Sequence, residues 1–275
     1  MSKERPSISV FFPFLNDWGT VGSLVALAAG TVSKLTEDWE IIIVNDGSDA
    51  KNREALGRIV ETINGKQKTE DRGQKTENRR PRTEKIRIID HEKNRGYGGA
   101  LRSGFAACRK DLIFYTDCDG QYDPRELVKL YEVMEPFDSG TYRPVHPSAQ
   151  GKEIGMVNGY KIKRHDPWYR TVAGRIYHHF VKFAFSLPIR DTDCDFRLIR
   201  KKIFNQVKLF ENTGTICVEL VKKIDHFGYR IAEVPVHHFW RTSGKSQFFN
   251  FNRLFQTAVN LGKLWWKLMV VKSEK

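Results

Sequence analysis

Apolar residues crowd into short, β-branched runs at Ile8–Phe12, Ile41–Val44, Ile86–Ile89 and Leu112–Thr116. Stretches of helical character, Thr20–Lys34, Lys51–Ile63, Gly98–Cys108 and Pro124–Met134, follow them in turn. Runs that are apolar at nearly every position predict strands buried on both faces. Their alternation with crossovers predicts βαβ units, and so an α/β fold with a doubly wound, mostly parallel sheet flanked by helices. Pro124 suits a first helical turn, where its missing N–H costs nothing. In such sheets ligands gather beyond the carboxyl ends of the strands, so the residues just after each run are where chemistry is expected.

Three segments depart from this rhythm. Asn64–Lys85 is almost without apolar residues and repeats Lys-Thr-Glu at 68–70 and 75–77, which predicts a solvated, mobile loop inserted between a helix and a strand. Pro136–Lys152, rich in Pro, Gly and Ser, reads as a link to an acceptor-side half. Near the carboxyl end, Phe251, Leu254, Phe255, Ala258, Leu261, Trp265 and Leu268 recur at helical spacing, with Arg253, Gln256, Asn260, Lys263 and Lys267 on the other face. That predicts an amphipathic helix. Tryptophans with lysines suit a bilayer interface, but packing on the protein's own core or in a dimer is equally open. The expected organisation is one unit over 1–249, with a nucleotide-binding half at about 7–135 and an acceptor half at about 153–249, then a helical tail over 250–275.

Composition narrows the partners. With 40% hydrophobic and 12% aromatic residues the 275-residue chain can build a large core. Its net charge of +13 calls for an anionic partner: nucleic acid, an acidic membrane face or a phosphate-bearing small molecule. Cys108, Cys118, Cys194 and Cys217 lie far apart, so neither a zinc site nor a disulfide scaffold is indicated, and a reducing cytosol is the plain reading. The pairs His178-His179 and His237-His238 lack supporting metal ligands. No signal peptide and no run of 18 apolar residues is found, so no membrane span is expected.

Strand-end acids carry the candidate chemistry. Asp17 follows the first run and Asp46 the second, in Asn45-Asp46-Gly47-Ser48-Asp49; each could accept hydrogen bonds from a ribose hydroxyl or a base imide, or simply serve a turn. After the third run, Asn94-Arg95-Gly96-Tyr97-Gly98-Gly99-Ala100 opens a helix, and its glycines permit close backbone approach to a phosphate-bearing ligand. It lacks the G-x-G-x-x-G spacing of dinucleotide sites. Most telling are Asp117 and Asp119 straddling Cys118 after the fourth run. In an extended segment residues i and i+2 point the same way, so both carboxylates can meet one hard cation, Mg²⁺ or Mn²⁺, that also binds nucleotide phosphates. A nucleic-acid partner leaves these acids unexplained, since carboxylates repel phosphates unless a cation intervenes.

Taken in order, Val10–Asp17, Val44–Asp49, Asn94–Phe105, Asp117–Pro124, Asp191–Arg197 and Glu233–Phe248 resemble a family 2 glycosyltransferase of the GT-A fold, and most the polyprenyl-phosphate sugar transferases. The resemblance runs from Ile8 to about Phe249. It implies an inverting enzyme that uses a UDP- or GDP-sugar donor and a polyprenyl phosphate acceptor at the cytosolic face of a membrane. It also implies that Pro13, Asp17, Asp46 and Asp117 frame the nucleotide while Asp119, with Gln121, holds the metal. The family often has Glu at the position of Asp17. Asp191-Thr192-Asp193-Cys194-Asp195-Phe196-Arg197 resembles a Gly-Asp-Phe-Arg element with Cys194 in place of the glycine; there Asp195, then Asp191, is the candidate for orienting the acceptor, the alternative being a salt-bridged core element with Arg197. Arg241-Thr242-Ser243-Gly244-Lys245-Ser246-Gln247 resembles the R-x-x-G-x-S-K segment over the donor. Arg241 is thereby expected to clamp phosphate, Ser246 to line the donor, and Lys245 to supply the charge that Gln247 lacks.

Overall fold

Every expected strand forms, and three more join them. The computed structural model describes residues 5–72, 85–135, 153–162, 179–241 and 251–271. Strands β1 (Ile8–Phe14), β2 (Trp39–Asn45), β3 (Ile86–Asp90) and β4 (Leu112–Thr116) are followed in turn by helices α1 (Trp18–Leu35), α2 (Ala50–Arg72), α3 (Tyr97–Ala107) and α4 (Leu127–Met134). All residues of β1, β2 and β4 are buried, as uninterrupted apolar runs require. Before α4 comes a single 3₁₀ turn, Pro124–Glu126, where the Asp123 side chain caps the N–H of Arg125 at 2.9 Å.

Strands β5 (Ile154–Lys161), β6 (Phe196–Arg200) and β7 (Arg230–Val236) complete a seven-stranded sheet of order β3-β2-β1-β4-β6-β5-β7. Only β6 runs antiparallel to its neighbours. Helix α5 spans the described residues 179–185, α6 spans Ile216–His226, and α7, Phe251–Trp265, continues into a π-helical turn at Trp266–Val271. One apolar layer puts Val10, Phe12 and Phe14 against α1 and α4. The other puts Phe11 and Val44 under α3, with α5, α6 and α7 alongside.

Two expectations need correction. Residues 64–72 belong to α2 and not to a loop. Leu56 and Val60 anchor its earlier turns in the core, Asn64 donates to the Ile86 carbonyl at 3.0 Å, and the Lys, Gln and Glu that follow are good helix formers able to propagate an established helix. The remainder of that segment, 73–84, and Pro136–Lys152 lie outside the described residues. The apolar stripe of α7, left open between core, dimer and membrane, turns inward only in part: Leu261 and Leu268, with Leu264 from beside it, are buried in one cluster with Val181 and Phe185 of α5, while Ala258 and Trp265 are exposed.

Candidate active site

One rim of the sheet collects the carboxyl ends of β1, β2, β3, β4, β5 and β7, and because β6 is reversed it also collects the amino end of β6. Thr116 pairs with Phe196, so Asp117 and Asp195 are the next residues outward on adjacent strands. Topology alone therefore sets Asp17, Asp46, Asp117, Asp119 and Asp195 along one edge, at the point where chain order reverses between β1 and β4.

Asp46 is buried, and its Oδ1 is held from two sides, by His91 Nδ1 at 2.7 Å and the Arg95 N–H at 2.8 Å. His91 Nε2 meets Ser103 Oγ at 2.8 Å, which fixes the ring. The acid accepts, so Nδ1 carries the proton. Asp49, at the other end of the same motif, caps α2 by accepting from the Asn52 N–H at 2.8 Å, so one acid of that motif serves the fold and the other faces the rim. Asn16, at φ 61°, ties the two loops together: its Oδ1 accepts from the Asp49 N–H at 3.1 Å and its N–H donates to Ser48 Oγ at 3.1 Å.

Beside them, Tyr97 donates to Asp117 Oδ1 at 2.8 Å from the first turn of α3. Asp119, buried, accepts the Gln121 N–H on Oδ1 at 2.9 Å and an Arg241 Nη2 hydrogen on Oδ2 at 2.7 Å. Burial pushes the Asp117 carboxyl well above the usual range, and the charges of Asp195 and Asp119 push it further. Burial also raises Asp119, against the pull of Arg241. Asp17 is raised to about 6 by burial, with Arg241 lowering and Asp119 adding to the shift. These mutual influences place Asp17, Asp117, Asp119, Asp195 and Arg241 in one electrostatic cluster. Carboxylates crowded in this way hold their protons unless a cation shares the site.

On the acceptor side Asp195 takes a Cys217 thiol hydrogen at 3.1 Å and stands 3.9 Å from Arg197. Arg197 is fully buried and satisfied by Asn158 Oδ1 at 2.7 Å, Tyr115 Oη at 2.6 Å and the Thr192 carbonyl at 2.6 Å. It is the core element of this motif and leaves Asp195 half-buried at the rim. Asp191 is buried and turned toward Lys161, whose Nζ lies 3.7 Å away, while its Oδ1 accepts from the Asp193 N–H at 3.2 Å.

Pro13 lies in β1 beyond the last pair with β4, so its missing N–H breaks no ladder. The side chain of Asn94 folds back to accept from the Gly96 N–H at 2.9 Å. A Cβ on Gly96 or Gly98 would collide with the carbonyls of Asn212 and Glu211, and the Gly98 N–H donates to Asn212 at 2.9 Å. The close approach expected of these glycines toward a ligand is in the structure an approach to the chain itself. Gln121 is engaged with Phe239 through its backbone carbonyl at 2.9 Å and its side-chain amide at 3.3 Å, coupling the Asp119 turn to the segment that carries Arg241. Lys245 and Ser246 lie outside the described residues. Among the described residues no three His, Cys, Asp or Glu side chains are arranged to ligate a metal on their own. His91, Tyr97 and Cys217 had not been singled out. His91 directly follows β3, so the strand-end rule already pointed to it, whereas nothing in the sequence marks Cys217.

Known proteins share this frame. Glucosyl-3-phosphoglycerate synthase from Mycobacterium tuberculosis, in complex with Mn²⁺, UDP-glucose and phosphoglyceric acid, superposes with a TM-score of 0.62 at 15% identity, covering 94% of this chain and 80% of that one. At that identity the likeness speaks for the fold, the GT-A type of mostly parallel sheet. In sequence the chain is 25% identical over 267 residues to glycosyltransferase AglD of Haloferax volcanii, covering 96% of this chain and 38% of the relative. It is 23% identical over 244 residues to the undecaprenyl-phosphate 4-deoxy-4-formamido-L-arabinose transferase of Aeromonas hydrophila, covering 88% and 62%. The chain thus spans under two thirds of each of these relatives. The Glycosyl transferase family 2 model matches residues 9–208, a span that includes Asp17, Asp46, Asp117, Asp119 and Asp195, and the chain belongs to that family.

Proposed function

We propose that the chain moves a sugar from a nucleotide-sugar donor, UDP- or GDP-linked, onto a polyprenyl phosphate at the cytosolic face of a membrane, with inversion at the anomeric carbon. The observation that carries this reading is the convergence of Asp17, Asp117, Asp119 and Asp195 on Arg241 at one rim. The relatives named for transfer to undecaprenyl phosphate support the acceptor class.

The residues fit a hard divalent cation, Mg²⁺ or Mn²⁺. Asp119 offers a buried carboxylate at the rim beside Asp117, and donor phosphates and water would complete the oxygen shell. Such a cation would neutralise charge developing on the departing diphosphate. Around it, Asp46 and Asp117 hold the nucleoside, the first steadied by His91 and the second by Tyr97. Asp17 contacts the ribose, and Pro13, Asn94 and Gly98 shape the floor beneath. Arg241, with Lys245 and Ser246 from the segment after it, clamps phosphate oxygens. Asp195 orients the acceptor, and Asp191 steadies that loop through Lys161. A phosphate acceptor is ionised at neutral pH and needs no base, so positioning and charge stabilisation suffice.

A second reading keeps the donor but transfers to a hydroxyl, and the position of Asp195 beside Asp117 favours it, since a carboxylate there could remove the proton. Labelled nucleotide sugars offered with a short-chain prenyl phosphate and with free saccharides separate the two. A labelled prenyl product supports the first reading, and its absence with every donor refutes it.

A further inference from the structure

Burial of Leu261, Leu264 and Leu268 commits one side of α7 to the core, yet the same helix and its π turn expose a second apolar set. Trp266 is 57% exposed, and Val270 and Val271 are exposed beside it. Helix α5 adds Phe180 and Phe183, the latter 88% exposed, where a side chain of that size gains nothing from water. The two elements are one surface: the Trp265 indole N–H donates to the Ala184 carbonyl at 2.9 Å, and both bury leucine or valine in a single cluster. That bond spends the polar end of Trp265 on the protein and leaves its half-exposed ring on the outside.

Charge says what covers this surface. None of the chain's 33 Asp and Glu falls in residues 179–190 or 251–271, whereas the exposed Lys263 and the half-buried Lys182 and Lys267 lie on the same elements as the exposed rings. Aromatic and aliphatic side chains ringed by lysine, with no carboxylate, complement an anionic lipid surface better than another copy of the same cationic face. No helix among the described residues is long and apolar enough to cross a membrane. We infer that α5 and the α7–π segment form a composite docking face for an anionic phospholipid bilayer, with Phe183 and Trp266 entering the interface and Lys263 and Lys267 meeting the headgroups. The chain runs on from α5 through the buried Leu187 and Ile189 to Asp191 and Asp195, which ties the docking face in sequence to the acceptor side of the rim. The inference rests on the proposed function only for what the face brings to that rim.

The test is flotation of the full chain with vesicles of phosphatidylcholine alone and of phosphatidylcholine with phosphatidylglycerol, at low and high salt. Binding is expected only to the anionic vesicles, weakening with salt. Phe183→Glu and Trp266→Glu should each lower it by about tenfold or more, and Lys263→Glu with Lys267→Glu should lower it comparably, while Leu27→Glu on α1 leaves it unchanged. Phe183, Trp266, Lys263 and Leu27 are exposed and Lys267 is half-buried, and an unchanged melting temperature verifies the fold of each variant. No binding to any vesicle, or binding indifferent to Phe183→Glu and Trp266→Glu, overturns the inference. So does a dimer, detected by light scattering, that those variants dissociate, since the face would then join two copies. Metal-dependent binding of nucleotide sugars is measured on the same variants: its loss in the parent chain counts against the proposed function and leaves the vesicle result standing.

Discussion

Arg241 occupies the place where a cation would be most useful, and that makes its removal informative. Its guanidinium donates to Asp119 Oδ2 at 2.7 Å with the carboxylate buried and the arginine 31% exposed. Charge-assisted hydrogen bonds contribute about 1.5–3 kcal/mol, and partial exposure of the arginine places this one toward the lower end. A divalent ion binding Asp119 in the absence of nucleotide has to displace that bond. Arg241→Ala is therefore expected to tighten binding of Mn²⁺ alone by about tenfold, the equivalent of roughly 1.4 kcal/mol. The same variant should turn over donor far more slowly, because the phosphate clamp is lost. Binding is measured by titration calorimetry above pH 7, where Asp17, raised to about 6, has lost its proton. Turnover is followed with labelled nucleotide sugar. Arg241→Lys should fall between the two, since a single ammonium pairs with Asp119 but does not bridge two phosphate oxygens. Unchanged or weaker Mn²⁺ binding in Arg241→Ala would refute the idea that the guanidinium stands in the cation's place.

The other predictions concern the residues around that pair. Tyr97→Phe removes the hydroxyl that holds Asp117 at 2.8 Å and should weaken nucleotide binding by about fivefold or more without a comparable loss of thermal stability; equal affinity in a binding titration would sink it. As pH falls through about 6, Asp17 takes up a proton and loses the ionised carboxylate it offers the ribose, so donor affinity should drop by up to about tenfold per pH unit, and Asp17→Asn should flatten that profile. For the unliganded fold the sign is opposite. The folded chain holds the Asp17 proton from the ordinary aspartate value of 3.8 up to about 6 while the unfolded chain releases it, so this group's contribution to stability declines as pH rises across that window. Arg197→Ala takes the guanidinium from Asn158 Oδ1, Tyr115 Oη and the Thr192 carbonyl in the core and should cost about 3–5 kcal/mol, read as a melting temperature lower by roughly 10 °C; a shift of only a degree or two contradicts the role given to Arg197.

Strands β1, β2 and β4 were legible because burial on both faces makes a strand apolar at nearly every position, and the edge strand β3, buried only at Ile86, was legible from its β-branched Ile86, Ile88 and Ile89. Strands β5 to β7 were not. Phe196–Arg200 carries two arginines, one of them wholly buried on three acceptors, and Arg230–Val236 carries the buried Glu233 and a proline, so the apolar pattern breaks where the structure satisfies polar groups internally. For the rim, Asp17, Asp46, Asp117 and Asp119 were visible as strand-end acids, but Asp195 was reachable only through family likeness, because an antiparallel strand brings its beginning, not its end, to that edge. In α7 the sequence showed amphipathicity without showing which of two apolar stripes meets the core. Burial of Leu264, absent from the expected face, decides that.

Asp117 and Asp119 differ less in sequence than in what holds them. Asp119 is gripped by a cation, Arg241, and by the N–H of Gln121 in its own turn, both of which oppose the upward push of burial on its carboxyl. Asp117 is gripped by a neutral phenol and faces the charge of Asp195 across the Thr116–Phe196 pair, a setting that favours the protonated acid. A carboxylate that already partners a cation is suited to a metal, and one held by a neutral phenol is suited to exchange hydrogen bonds with a nucleoside. Asp119→Ala is accordingly expected to abolish metal-dependent donor binding, whereas Asp117→Asn, which preserves the shape and most hydrogen bonding of a protonated carboxyl, should only weaken nucleotide affinity. Equal losses in titrations with and without Mn²⁺ would show that the two acids act as one ligand pair, and the distinction drawn from their partners would fall.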